Sequence, residues 1–486
     1  MGAEKHYLIT VTSEIQQTLG SDLYLPRSLL PRPILKRADV VVVGAGSAGC
    51  VTARRCAELG LKTLLIDRKD RAAIGDKICG DEISKSHFEA TGIDHPAENE
   101  VSSVIAGADV YPPNLNNELK VRGWSDFDGW TVDRISFGQR LLDEAIEAGV
   151  QFRPNIHVGG PTLRGSSVIG IHYKDMESGD KNTVAAKIVV DASGFASVIR
   201  KKLESPYVEI EIEKSDIALC YREILELKMP MAEPEVARVF LGGKFAPKGY
   251  AWIFPKGPQT VNVGVGITGG DGKGSPKGLY NTFKEEYPLL FRSKVIHSGG
   301  GAVPVRRPIW SLVADGVAFV GDSAFMVNPI HGGGIGAGMR AGTILGEVIK
   351  EAIARRDTSA KGLWSFNTRF LSNFGRRLAS LEIFKRLLAD VSDEEMNFGF
   401  EKRILEAGDL MAANRGEGLS MGIGTKLIRA KRGVSKVSLL RKLQRASSLM
   451  KKIDKEYRNY PHSPEGLEHW KGSIKELIDA AVFTNE

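Results

Sequence analysis

Residues 38–49 carry the feature that most constrains this chain. A run that is apolar but for Asp39, 38–43, meets Gly44-Ala45-Gly46-Ser47-Ala48-Gly49 with no spacer. Such a run reads as a strand buried on both faces, the habit of parallel sheets. Residues 47–59 have a helical pattern closed by Gly60, and 62–66 read as a second short strand. In a strand, glycine turn and helix of this kind, the first glycine permits the tight turn. The second lets backbone touch a pyrophosphate, and the third lets helix and strand pack closely. The helix N-terminus adds free N–H groups and partial positive charge. Asp67 ends the second strand, where an acid accepts hydrogen bonds from a ribose. The expectation is a doubly wound α/β domain for a dinucleotide.

A second match, Gly264-Val265-Gly266-Ile267-Thr268-Gly269, behaves differently. It lies inside an alternating segment, 260–267, and runs into further glycines with no helix behind it. It reads as strand and turn, so the chain is expected to hold one dinucleotide fold. Residues 131–150 read as a helix, 183–190 and 317–320 as strands, 335–355 as a helix, and everything after 361 as mainly helical. At 486 residues the chain exceeds one simple domain. The expected division is an N-terminal extension, 1–37; a discontinuous nucleotide domain, 38–74, 131–203 and 299–360; an inserted sheet-containing substrate domain, 75–130 and 204–298; and a helical C-terminal domain, 361–486.

Charge and cysteine usage limit the setting. Four cysteines make no disulfide scaffold, and no signal peptide or long apolar span is evident, so a cytoplasmic, reducing compartment is expected. No metal-binding residues are assigned. Between 421 and 460 stand twelve Lys or Arg against two acids. That local charge of +10 leaves −3 for the rest of a chain whose total is +7. Leu427, Ile428, Val437, Leu439, Leu440 and Leu443 are interleaved with these cations, the pattern of an amphipathic helix on an anionic membrane face. Aromatic residues are absent from 421–456, which argues against single-stranded nucleic acid.

Two later segments choose between dinucleotides. Asp191-Ala192-Ser193-Gly194, with Ser197 and Arg200, follows one expected strand. Gly321-Asp322 follows another and leads through Pro329 to Gly332-Gly333-Gly334-Ile335-Gly336. Asp322 is placed for a ribityl or ribose hydroxyl. The glycines let the next helix N-terminus approach a flavin ring, where its dipole stabilises the reduced form. These segments and the first glycine motif resemble the three flavin signatures of para-hydroxybenzoate-hydroxylase-like flavoproteins, so FAD is the implied cofactor. The resemblance implies contacts from Gly44, Gly46, Ala48, Gly49, Asp67, Asp322, Gly334 and Ile335. It also implies that Arg134 reaches the flavin side chain and that backbone near Val158 meets the adenine.

Two more segments narrow the family. Pro247-Lys248-Gly249-Tyr250-Ala251-Trp252-Ile253-Phe254-Pro255 matches the P-x-x-Y-x-W-x-F-P signature of geranylgeranyl reductases, and Lys77-Ile78-Cys79-Gly80 resembles their Lys-x-Cys-Gly segment. The resemblance puts Cys79 and Gly80 beside the flavin and makes Cys79, Tyr250 and Trp252 the catalytic candidates. On a strand, Tyr250, Trp252 and Phe254 share one face, an apolar wall for a prenyl chain. The implied reaction saturates a prenyl C=C by hydride transfer from reduced flavin, with Cys79, His331 or a water as proton donor. The implied partners are a prenylated lipid or prenyl diphosphate, an external electron donor (NAD(P)H or ferredoxin) and a membrane surface, with no nucleic acid. Two readings stand beside this one. One is a flavin monooxygenase or halogenase, since halogenases carry a similar W-x-W-x-I-P strand. The other is a flavoprotein relaying electrons to a membrane quinone.

Overall fold

The computed structural model describes residues 36–123, 128–269, 274–404, 406–415 and 436–483. The extension 1–35 and the part of the basic stretch at 421–435 lie outside them.

The apolar run is a strand, Arg37–Val43, at the middle of a parallel array. Its neighbours are Lys181–Asp191 and Thr63–Ile66, flanked by Val317–Phe319 and Gln151–Arg153. Val43 pairs with Ile66 and Asp191, and Asp191 with Phe319, so Gly44, Asp67, Ala192 and Val320 leave the sheet along one carboxyl edge. That edge is where open α/β sheets bind ligands. The helices Ser47–Glu58 and Ile335–Ala354 cross over it in close contact. Glycines four residues apart make the approach possible. A Cβ on Gly338 would stand 2.9 Å from the Ala48 Cβ, and one on Gly342 would stand 2.9 Å from Thr52 Oγ1.

The second sheet has the order Lys294–Pro304, Ile217–Glu226, Thr260–Thr268, Tyr250–Pro255, Val236–Leu241, Gly107–Tyr111, Leu119–Arg122. One face carries Phe240, Ala251, Ile253, Val261, Val263 and Val265, which form a core with Tyr280 and Phe283 of the helix Pro276–Glu286. The other face carries Tyr250, Trp252, Phe254, Cys220 and Asn262. The second glycine motif lies in the strand Thr260–Thr268, as its alternation predicts.

A third sheet joins Glu82–Ser84, Gly129–Val132 and Val101–Ile105. Thr131 and Val132, expected to open a helix, end a strand instead. β-branched residues suit a pleated surface better than a first helical turn. The helix begins at Arg134, after Asp133 accepts the Ser136 N–H at 2.8 Å.

The C-terminal helices Arg376–Asp390 and Val437–Arg458 pack on each other. Leu439, Leu443, Ala446, Met450, Ile453 and Tyr457 are all buried in that region. This corrects the expectation of an apolar membrane face at Leu439 and Leu443, because protein already covers it. Leu427 and Ile428 fall outside the described residues. The helix's exposed positions include Arg441, Lys451, Lys452, Lys455 and Arg458. Among the described residues, no helix is long and apolar enough to cross a membrane.

Candidate active site

Gly44 has φ +107°, and a Cβ there would stand 2.3 Å from the Ala192 carbonyl oxygen. A Cβ on Gly49 would stand 1.8 Å from the Gly44 carbonyl oxygen. Both positions therefore exclude side chains. A Cβ on Gly46 would meet no atom within 4 Å, so that backbone faces an open cradle at the helix N-terminus. Ala48 lies in the first turn of that helix. The Asp67 carboxylate accepts N–H groups from Ala45 at 2.7 Å and Lys69 at 2.8 Å. It ties the glycine loop to the strand end and keeps lone pairs for hydroxyls. Ile156 N–H donates to the Asp67 carbonyl at 2.9 Å, and buried Val158 follows two residues on.

Arg134 is 9% exposed, yet its Nε and Nη1 have no hydrogen-bond partner among the described residues. A buried guanidinium without an acceptor is costly. An anionic cofactor at this edge would supply one. Across the edge, Asp322 accepts Lys77 Nζ at 2.7 Å, and this carboxylate raises the Lys77 pKa. Gly334 lies within 3.2 Å of Asp322 Oδ1 by its notional Cβ, and Ile335 starts the helix that follows. The open glycine cradle, the unsatisfied arginine and the acid beside the second helix fit a flavin dinucleotide.

The Lys77–Asp81 loop joins this edge to the aromatic strand. A Cβ on Gly80 would stand 2.8 Å from the Phe254 ring, and one on Gly299 would stand 2.4 Å from the Ile78 side chain. Asn262, fully buried, binds three neighbours. Its Nδ2 donates to the Cys79 carbonyl at 2.7 Å and to Asp81 Oδ2 at 3.1 Å, and its Oδ1 accepts the Trp252 indole N–H at 3.0 Å. Lys256 Nζ donates to the same Asp81 oxygen at 3.0 Å. The Trp252 ring lies over Gly264, where a Cβ would stand 2.2 Å from Cζ2. The second glycine motif is thus a seat for an indole.

Tyr250, Trp252 and Phe254 do share one face, with successive ring centroids 5.6 and 6.1 Å apart. Trp252 and Phe254 are nearly sealed and pack with Ile105, Ala108 and Ala237. Tyr250 keeps partial access, donates its hydroxyl to the His331 carbonyl at 2.6 Å, and has its pKa raised by burial. Cys79 is a free, partly accessible thiol whose sulfur accepts the Asp81 N–H at 3.4 Å. Cys220, on the Tyr250 face, has its pKa raised by burial. His331 is exposed, and its Nδ1 accepts the Gly333 N–H at 3.2 Å. The structure therefore brings Cys79, Gly80, Tyr250, Trp252 and Phe254 together. It adds Lys77, Cys220 and Asn262, and Glu82, whose charge acts on Tyr250; sequence reasoning did not single these out as site residues. A lone Asn within the valine-rich strand 260–267 was the one visible signal.

Comparison with known proteins agrees with this geometry. Residues 216–303 match the model of the geranylgeranyl reductase catalytic domain, and residues 39–202 match that of the FAD dependent oxidoreductases. A digeranylgeranylglycerophospholipid reductase of Sulfolobus acidocaldarius is 35% identical over 90% of this chain and 97% of its own length. One from Methanothrix thermoacetophila is 32% identical over 74% of this chain and 90% of its own. Among solved structures, a geranylgeranyl bacteriochlorophyll reductase-like protein from Thermoplasma acidophilum superposes with TM-score 0.71 at 24% identity, covering 85% of this chain and all of that one. A flavin-dependent brominase superposes with TM-score 0.62 at 20% identity, covering 82% and all of it; that likeness is one of fold.

Proposed function

The chain belongs to the geranylgeranyl reductase family, and from that premise we propose that it saturates the C=C bonds of geranylgeranyl chains on membrane glycerophospholipids. It is an FAD-dependent oxidoreductase. The observation that carries the reading is the aromatic strand turned toward the Cys79–Gly80 loop, in a chain 35% identical over 90% of its length to a reductase of that lipid class.

Bound FAD, once reduced, supplies the hydride. The protein's task is to hold an unpolarised alkene beside it and keep water away. In this reading Arg134 meets the cofactor's phosphates, the Gly46 backbone lines their cradle, and Asp322 meets the ribityl chain. Tyr250, the ring that keeps partial access, meets the prenyl chain with Trp252 and Phe254 packed behind it, and Asn262 keeps their strand in register with the Cys79 loop. Electrons come from NAD(P)H or ferredoxin. The cationic outer face of Val437–Arg458 supports electrostatic contact with anionic headgroups from the cytoplasmic side, each cation near the surface contributing about 1 kcal/mol.

The test is anaerobic stopped-flow spectroscopy of the dithionite-reduced protein. A digeranylgeranyl glycerophospholipid should reoxidise the flavin, and its fully saturated counterpart should not. Reoxidation only by oxygen, with peroxide release, would favour a monooxygenase. Reoxidation only by a quinone would favour an electron relay.

A further inference from the structure

The alkene needs a proton as well as a hydride, and the strand Glu82–Ser84 presents a group suited to give it. Glu82 pairs with Thr131, and Thr131 with Ser103, while Gly129 pairs with Ile105. Residues directly opposite in antiparallel strands share a face. Glu82 and Thr131 therefore project from the same side as Ile105. That side meets the aromatic strand: Thr131 Oγ1 donates to the Pro255 carbonyl at 2.5 Å, and Ile105 packs with Trp252 and Phe254. Two residues before Glu82, Gly80 touches the Phe254 ring. The strand also contacts the helix Ile335–Ala354, which opens at the flavin glycines. Glu82 thus lies between the aromatic wall and the cofactor edge.

We propose that Glu82 is the general acid of the reaction, a catalytic residue that protonates one alkene carbon while the other receives hydride.

Among the described residues, no cation or hydrogen-bond donor holds Glu82. The neighbouring acids differ: Asp81 is bound by Lys256 and Asn262, and Asp322 by Lys77. Burial alone pushes the Glu82 carboxyl up to about 7. The side chain nevertheless keeps partial access to solvent. It stands near Tyr250, whose surroundings also hold Cys79 and Cys220. The titratable and charged groups of this region are Lys77 and Cys79 from the preceding loop, Asp81 beside Glu82, Cys220 and Tyr250 from the aromatic face, and Asp322 and His331 before the flavin helix. His87 and Arg340 come from the helices packed on the strand. The two other acids there, Asp81 and Asp322, are each held by a lysine, and Glu82 is not. The Tyr250 proton is engaged by the His331 carbonyl, and the Cys220 thiol faces the Gly301 carbonyl. A neutral carboxylic acid near pH 7 is well matched to general-acid work.

The step balances. The alkene π bond breaks, and two C–H bonds form. One takes the hydride and so oxidises the reduced flavin by two electrons; the other takes the Glu82 proton. The carboxylate left behind regains a proton from water.

This proposal rests on the reductase reading, and two measurements separate their failures. The first is 13C NMR titration of the holoenzyme labelled at glutamate Cδ, with the signal assigned by its loss in Glu82→Gln. An apparent pKa near 7 is expected; titration in the ordinary glutamate range overturns the proposal whatever the substrate proves to be. The second is single-turnover reoxidation of the reduced flavin by a digeranylgeranyl glycerophospholipid. In the wild type the rate should fall as pH rises through about 7, where the acid loses its proton. Glu82→Gln should slow it by about 10²- to 10⁴-fold with FAD content unchanged, and Glu82→Asp should restore part of the rate. A wild-type rate level across that range, or a Glu82→Gln enzyme at wild-type speed, overturns the proposal. Should Glu82→Gln fail to fold, the wild-type pH profile and Glu82→Asp still decide it.

Discussion

The Trp252 indole donates its N–H at 3.0 Å to Asn262 Oδ1, which stands on the neighbouring strand of the same sheet face. The same Asn262 donates to the Cys79 carbonyl at 2.7 Å. One amide therefore joins the wall proposed to hold the prenyl chain to the loop proposed to flank the flavin. Replacing Asn262 by Ala leaves the indole N–H, the Cys79 carbonyl and an Asp81 oxygen each short of a partner, at about 1–3 kcal/mol of stability. Thermal unfolding should register that loss, and kcat should fall more than FAD content. A stable variant with unchanged kcat would show that the amide does not align the two elements.

Gly264 tests the indole's seat from the other side. A methyl group at Gly264 would stand 2.2 Å from Trp252 Cζ2, so Gly264→Ala must tilt the ring or shift the strand. Overpacking of this kind costs about 1–3 kcal/mol. Prenyl turnover should drop while FAD stays bound. Adding Trp252→Phe, which shrinks the ring, should recover stability in the double variant. Calorimetry and flavin absorbance measure the two effects separately.

Arg134 is the clearest probe of the cofactor site. Its unsatisfied Nε and Nη1 make the residue a poor stabiliser of the protein alone. Arg134→Leu should leave the apoprotein's melting temperature unchanged or raise it. FAD affinity should weaken about 10- to 100-fold, the equivalent of one hydrogen bond to a charged group. Fluorescence titration of apoprotein with FAD checks this. Undiminished affinity would place the arginine away from the cofactor.

Most of the nucleotide domain was legible because its signals are local. Gly44, Gly46, Gly49 and Asp67 occur within one strand–helix–strand unit, where spacing alone sets their positions. The common face of Tyr250, Trp252 and Phe254 was legible from alternation. Asn262 was hidden because its meaning depends on lying opposite Phe254 across two strands, a register no local pattern encodes. Glu82 was hidden for a related reason. Its face is set by pairing with Thr131, and Thr131 reads as the start of a helix until the third sheet is seen. Lys77 and Asp322, 245 residues apart, meet only through the tertiary fold. The amphipathic pattern near Leu439 was read correctly as one-sided. The sequence does not state whether lipid or protein covers that side.

A buried ionic cluster predicts how acid unfolds the protein. Glu382 is 2% exposed and binds Arg386 at 2.9 Å and the Arg307 backbone N–H at 2.9 Å. Burial alone would raise its pKa, but Arg386, then Arg306, Arg307 and Lys385, hold it down at about 2. The folded value lies below the unfolded one of about 4.3. The stabilisation is therefore complete above the unfolded value and is lost as pH falls from there toward about 2. Glu382→Gln should flatten this acid limb and, by leaving arginines unpaired, cost about 3–5 kcal/mol at neutral pH. Melting temperatures measured between neutral and acid pH test both parts.

The central claim is that this protein adds hydrogen across prenyl double bonds. Its most direct test is mass spectrometry of a digeranylgeranyl glycerophospholipid incubated anaerobically with the reduced enzyme. The account predicts product masses rising in steps of two hydrogens per double bond, one step for each flavin reoxidised. Flavin reoxidised by the lipid with no gain in lipid mass would contradict it.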